Sequence, residues 1–207
     1  MWPTVTAADI AVVDGETVLP ADIRDCGVVW DYILPKDAFR IPFNVHRFEL
    51  TFRAADVPAL GWKTFGVRVD GSKEAATDLV VYKKGMANKR LRVKFAADGS
   101  AIVTDRKTGA AYTTGIFVDS GDIGNEYIYR EAKDHVRVTT EGTRAKVELV
   151  SSSAAAITFK ATHMMKIPAG IDFETRTRTG ECEMKVEAYF TLREGARRLD
   201  MKTVIHN

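Results

Sequence analysis

The feature that most constrains this chain is a repeated two-residue alternation of apolar and polar side chains with no sustained 3.6-residue period. Successive residues of a strand point to opposite faces, so this alternation marks strands that turn one face toward a core. It runs through Val45 to Arg53 by way of Phe48, Leu50 and Phe52, and through Met184 to Leu192 by way of Val186, Ala188 and Phe190. Leu199 to Ile205 repeats it through Met201 and Thr203. Ala8 to Val13, Val28 to Leu34, Trp62 to Val69, Val136 to Thr140, Lys146 to Val150 and Ile157 to His163 add further strands, parted by Gly, Pro, Asp or Ser clusters. A parallel sheet would need crossover helices, which this pattern lacks, so the expected fold is all-β, an antiparallel β-sandwich. Trp30 and Trp62 lie in alternating segments and are expected in the core.

The stretch from Asn88 to Arg130 joins architecture to chemistry. Leu91, Val93 and Phe95 alternate with charged residues, Asp98-Gly99 makes a turn, and Ala101 to Thr104 returns as a second strand. Beyond it, Asp119-Ser120-Gly121-Asp122-Ile123-Gly124-Asn125-Glu126-Tyr127-Ile128-Tyr129 gathers carboxylates, an amide and phenols around two glycines. Such a loop can hydrogen-bond a polyhydroxy ligand. It can equally be structural, with Asp119 and Asp122 forming turns and Tyr127 and Tyr129 packed as strand residues.

The order N-x-x-L-x-V-x-F-x-x-D-G-x-x-x-x-x-D-x-x-T-G, followed by D-S-G-D-x-G-x-E-Y-x-Y, resembles the C-terminal β-sandwich region of glycoside hydrolase family 38, the α-mannosidases, and its bacterial members above all. Val57-Pro58-Ala59-Leu60-Gly61-Trp62-Lys63-Thr64-Phe65 and the final stretch Ala196 to Asn207 resemble two further strands of that region. The resemblance implies a small N-terminal β unit over 1–75, followed over 76–207 by part of a large, galactose-mutarotase-like sandwich truncated at its C-terminus. It also implies that the nucleophilic aspartate and the zinc of such an enzyme lie in a catalytic domain outside this chain, which would be the chain's principal partner. Hydrolysis of a terminal α-mannoside with retention is the activity implied for the whole enzyme, with no catalytic residue here. By the same resemblance, Asp119, Asp122, Asn125, Glu126, Tyr127 and Tyr129 are the candidate contacts to a mannose-containing carbohydrate. Asn125 stands where the family usually has aspartate, and Ile128 where it has asparagine.

Several classes are disfavoured. The net charge of +2 carries no basic stripe, so phosphate neutralisation and nucleic-acid binding are not expected. No apolar run approaches the roughly 20 residues of a membrane helix, and the N-terminus lacks the pattern of a signal peptide. The 4 histidines show no zinc-ligand spacing, and Ser120 lacks the G-x-S-x-G context of an activated serine. Ser151-Ser152-Ser153 reads as a turn. Cys26 and Cys182 are far apart and are expected as buried free thiols of a cytoplasmic protein.

Asp70 to Asp78 is polar and short-sided, as a linker would be, and Lys166 to Asp172 reads as a long loop. A carbohydrate-binding module that uses Trp2, Trp30 and Trp62, or a structural interaction domain, are the alternatives to a glycosidase part. At the C-terminal end the chain is expected either to self-associate as a homo-oligomer through an exposed edge, or to close on a hairpin of Met184 to Leu192 with Leu199 to Ile205.

Overall fold

The computed structural model describes residues 5–69 and 75–207, so the expected strand start at Trp2-Pro3-Thr4 and residues 70–74 of the expected linker lie outside the described residues. Apart from one 3-10 turn at Ala7–Asp9, every regular element described is a β-strand, and every strand pairing is antiparallel. The all-β expectation holds. The chain divides into two compact units, Met1–Thr77 with Ser153–Ala155, and Asp78–Ser152 with Ala156–Asn207.

In the first unit β1 (Ile10–Asp14) lies between β2 (Thr17–Leu19) and β5 (Gly66–Val69). Ile10, Ala11, Val12 and Val13 are all buried, so β1 is covered on both faces, which is why its sequence is a continuous apolar run. Among the described residues the long strands β3 (Ala21–Ile33) and β4 (Ile41–Phe52) pair only with each other, from Ala21↔Phe52 to Ile33↔Ile41, with a bulge between Asp25 and Val28. Near the base of this hairpin Phe48, Leu50 and Phe52 are half-buried in alternation. Beyond the bulge the expected burial fails. Trp30 is 59% exposed, and Trp62, in a loop that reaches strand geometry only at Gly66, is 82% exposed. A two-stranded ribbon has no facing layer of its own, so alternation there specifies a face and not a core.

The second unit is a two-layer sandwich. One sheet orders β6 (Val80–Tyr82), β7 (Gly85–Ala87), β8 (Leu91–Phe95), β9 (Ala101–Asp105) and β10 (Ala111–Thr114) as consecutive neighbours. The small pair β11 (Val118–Ser120) and β12 (Arg137–Thr139) follows in the chain. The second sheet takes the order β13 (Lys146–Ser152), β14 (Ala156–Ile167), β17 (Cys182–Arg193), β18 (Leu199–His206), with the short hairpin β15 (Gly170–Asp172) and β16 (Thr177–Thr179) between β14 and β17 in the chain.

Leu91, Val93 and Phe95 of β8 alternate buried, exposed, buried with Arg92 and Lys94, and meet Ile157, Phe159, Phe190 and Leu192 of the other sheet. The Phe95 ring lies 5.1 Å from Phe159 and 5.3 Å from Phe190. Ala161 and Ala188, paired in register, make room for these rings. Burying each ring fully contributes about 1.5–3 kcal/mol, so this cluster dominates the stability of the unit. The turn joining β8 to β9 is the expected one, with Gly99 at φ 78° and Asp98 Oδ1 accepting from the Ser100 N–H and hydroxyl at 3.0 and 2.6 Å.

Other expectations need correction. Ser151 and Ser152 continue β13 past a bulge instead of turning, because β14 supplies partners for them, Thr158 and Ile157. The stretch Lys166 to Asp172 is split between the end of β14 and β15, each paired. β17 and β18 pair from Lys185↔His206 to Leu192↔Leu199, the hairpin expected at this end, yet Met201 and Ile205 are 47% and 57% exposed. They share a face with the buried Phe190 and Val186 but stand on the outer strand of the sheet, where the opposite layer does not cover them. Both cysteines are free thiols, Cys26 half-buried and Cys182 exposed instead of buried. No helix among the described residues is long and apolar enough to cross a membrane.

Candidate functional site

Asp119 stands in β11, and the loop from β11 to β12 holds the other five candidate contacts. β11 aligns Asp119 with Val138 and Ser120 with Arg137, and beyond them a single bridge joins Asp122 to Glu131. The chain then folds back on itself. Ile123 N–H donates to Arg130 O at 2.8 Å, Asn125 N–H to Ile128 O at 3.1 Å, and Ile128 N–H to Asn125 O at 3.3 Å. This places Asn125, Glu126, Tyr127 and Ile128 at the tip.

Side chains fix that conformation from within. Asp122 Oδ1 accepts from Gly124 N–H at 2.8 Å and from Arg130 N–H at 3.0 Å, which closes both ends of the excursion on one carboxylate. The Arg130 amide, followed by the Gly124 amide, holds the Asp122 carboxyl below its ordinary pKa. Asn125 Oδ1 accepts from Tyr127 N–H and Ile128 N–H, both at 3.0 Å. Gly124 is required here: a Cβ at this position would stand 1.8 Å from Ile128 O.

The base of the loop is clamped by a residue far away in sequence. Arg178 is paired through Nη2 with Asp119 Oδ1, and its side chain is 6% exposed. It also donates through Nη1 to Val136 O at 3.3 Å and through its backbone N–H to Asp134 Oδ2 at 2.7 Å. Glu131 accepts from Arg137 Nε at 2.8 Å and lies 3.1 Å from His135 Nδ1, and these two partners, Arg137 first, lower its pKa. Nothing in the local sequence distinguishes Arg178 or Glu131 from solvated surface charges.

The six candidates therefore separate. Asp122 forms the turn that was expected of it; Asp119 does not turn the chain but stands in β11, where Arg178 engages it, and Asn125 is partly engaged in the fold. Tyr127 and Tyr129 are not strand-core residues; they are 85% and 56% exposed, with Tyr129 Oη 3.3 Å from Ser120 Oγ. Glu126 and Tyr127 point a carboxylate and a phenol to solvent from a braced tip. Such a tip can bind hydroxyls by accepting and donating hydrogen bonds. No group of three or more His, Cys, Asp or Glu close enough to hold a metal ion is found among the described residues.

Comparison with known proteins gives the following. Residues 4–68 match the family described as glycosyl hydrolases family 38 C-terminal domain 1. Over 159 residues the chain is 31% identical to a putative mannosylglycerate hydrolase of Halalkalibacterium halodurans, which covers 74% of this chain and 18% of that protein. The fold is shared with an alpha-mannosidase from Enterococcus faecalis V583 (TM-score 0.85, 24% identity, 99% of this chain and 25% of that one). It is also shared with a glycosyl hydrolase family 38 protein of Enterococcus faecalis (TM-score 0.75, 18% identity, 99% of this chain and 26% of that one). The chain thus spans about a quarter or less of the length of these relatives.

Proposed function

We propose that this chain, which carries the C-terminal β-sandwich region of glycoside hydrolase family 38, serves an α-mannosidase-like enzyme as the platform for its catalytic domain and lends the 122–130 loop to the substrate site. The observation that carries this reading is the loop's construction. Its backbone is held by Asp122, Asn125 and the Asp119–Arg178 pair, while Glu126 and Tyr127 remain exposed at its end. Side chains set on a braced backbone lose less freedom on engaging a ligand than those on a slack loop, which suits a contact to sugar hydroxyls. Bond cleavage and zinc, on this reading, belong to the catalytic domain. The names of the relatives make α-mannosides and mannosylglycerate the substrates to assay. The free thiols Cys26 and Cys182 accord with a cytoplasmic setting.

The test is alanine substitution of Glu126 and Tyr127 in the complete enzyme. Activity on these substrates is expected to fall while the melting temperature of the present chain moves by no more than a few degrees. Unchanged turnover in both variants would leave the loop a structural feature only.

A second reading, direct carbohydrate binding through an aromatic platform, is favoured by the exposed Trp30, whose ring centroid lies 5.5 Å from that of Tyr32. Loss of retardation in a mannan gel on Trp30→Ala would support it, and unretarded migration of the unaltered chain would dismiss it.

A further inference from the structure

We infer that the outer part of the β3–β4 ribbon is a docking element, and that what covers it is an apolar, uncharged cleft on the remainder of the polypeptide, outside these 207 residues. This rests on the reading of the chain as a platform and names the surface by which the platform is held.

Residues directly opposed in an antiparallel pair share a face. The register therefore sets Val28, Trp30 and Tyr32 with Pro42 on one face of the ribbon, and Ile33, Ile41 and Phe43 on the other. All seven are exposed. The connection between the strands adds Leu34 and Phe39, the latter 97% exposed. An antiparallel pair with one solvated face normally alternates, apolar inward and polar outward. Here both faces are apolar, which is the pattern of strands covered on both sides. β1 has that pattern in the same unit, and there Ile10, Ala11, Val12 and Val13 are all buried. The outer ribbon is apolar as β1 is but lacks its covers, and a two-stranded ribbon is at best marginally stable in water unless something packs on it.

Charge says what kind of surface fits. From Val28 to Val45 the acids Asp31 and Asp37 cancel the bases Lys36 and Arg40. Asp31 is paired with Arg47 at 3.3 Å, and the Arg40 guanidinium lies 4.8 Å from the centre of the Tyr32 ring. These groups are engaged within the ribbon, so the partner surface has to supply apolar area and no counter-charge, as the core of an interface does.

The proportions favour the remainder of the polypeptide as that partner. Two solved relatives match 99% of this chain, the ribbon with it, yet the matched part is only 25% and 26% of their length. The ribbon thus belongs to a fold found in proteins about four times as long, where a body large enough to close on both faces is at hand. A second copy stacked ribbon on ribbon would cover one face of each and leave the other bare.

Hydroxyl-radical footprinting read by mass spectrometry tests this without any substitution. In the purified chain Trp30, Phe39 and Phe43 are expected to label readily. In the complete enzyme, at matched radical dose, they should label about tenfold more slowly, since the core of an interface excludes solvent. A ribbon covered in this way cannot offer Trp30 to a glycan, so its protection would also tell against the aromatic platform. Equal labelling of the three residues in both settings, with protection elsewhere in the chain, overturns the docking role and leaves the platform reading intact. No protection anywhere in the chain overturns both. Protection that grows with the concentration of the chain alone gives the ribbon to a second copy and overturns the assignment of its partner. Phe39→Ser and Ile41→Thr supply a further readout, because both side chains meet solvent in the chain alone. Each should move the melting temperature of the chain by no more than about 2 °C, and that of the complete enzyme by several times as much. Equal shifts in the two settings likewise overturn the docking role.

Discussion

Replacing Asn88 by alanine should destabilise the second unit by about 3 kcal/mol, since four hydrogen bonds of roughly 1 kcal/mol net each are lost from a buried side chain and the two carbonyls can regain some water. Asn88 is 0% exposed. Its Oδ1 accepts from Arg90 N–H at 2.9 Å and Leu91 N–H at 2.8 Å, shaping the turn into β8. Its Nδ2 donates to Arg193 O at 3.0 Å and Ala196 O at 2.9 Å, in the connection from β17 to β18. One amide therefore joins the two sheets of the sandwich at one end. Asn88→Asp keeps the acceptor but loses both donations and sets a carboxylate against two carbonyls, so it should cost at least as much near neutral pH and recover in part when the acid is protonated. Urea unfolding followed by far-UV circular dichroism measures this. Tryptophan emission would follow the wrong unit, because Trp2, Trp30 and Trp62 all precede residue 78. Asn125→Ala, which removes two similar bonds from an exposed turn, is the control and should cost under about 1 kcal/mol. A loss below about 1 kcal/mol for Asn88→Ala would refute the account of Asn88 as the tie between the sheets.

His163 is 2% exposed, neither ring nitrogen has a hydrogen-bond partner among the described residues, and burial lowers its pKa despite the opposing pull of Asp98. Its stability contribution is whole above the unfolded value near 6.5 and falls as pH drops below it, because the unfolded chain takes the proton first; His163→Leu should flatten that slope in urea titrations from pH 7 to 5. Glu187 is held at about 2, by His206 first and then Lys185. Stability from this carboxylate is present above 4.5 and lost as pH falls through about 2, so Glu187→Gln should lessen acid unfolding across that window, and an unchanged acid midpoint would count against it. Gly124→Ala should disrupt the 122–130 loop without unfolding the sandwich, visible as amide shifts confined to residues 119–131 in NMR spectra. Added zinc should leave the melting temperature unmoved, as the lack of a three-ligand cluster among the described residues implies.

How much of this was legible in the sequence depends on whether the reason for a residue is local. The β8–β9 hairpin could be read because Leu91, Val93 and Phe95 alternate and Asp98-Gly99 turns, and both signals lie within fifteen residues of each other. The exposure of Trp30 and Trp62 could not, because alternation specifies a face and leaves open whether another layer covers it. The same limit applied at Met201 and Ile205, which point the right way from the wrong strand. For the loop, residue types suggested a ligand surface, yet the same oxygens serve the fold: Asp122 through two backbone amides and Asp119 through Arg178, 59 residues away. A polar side chain has only so many bonding directions, so the atoms that shape a loop are poor witnesses to what the loop binds. The informative residues are those left over once the backbone is satisfied, here Glu126 and Tyr127, and identifying them requires the hydrogen-bond partners that only the folded chain supplies. Asn88 makes the converse case. It heads the pattern that carries the family resemblance, and its amide has no surplus bond to offer a ligand, so the recognisable part of that motif records how the sandwich is closed and says nothing of what it touches.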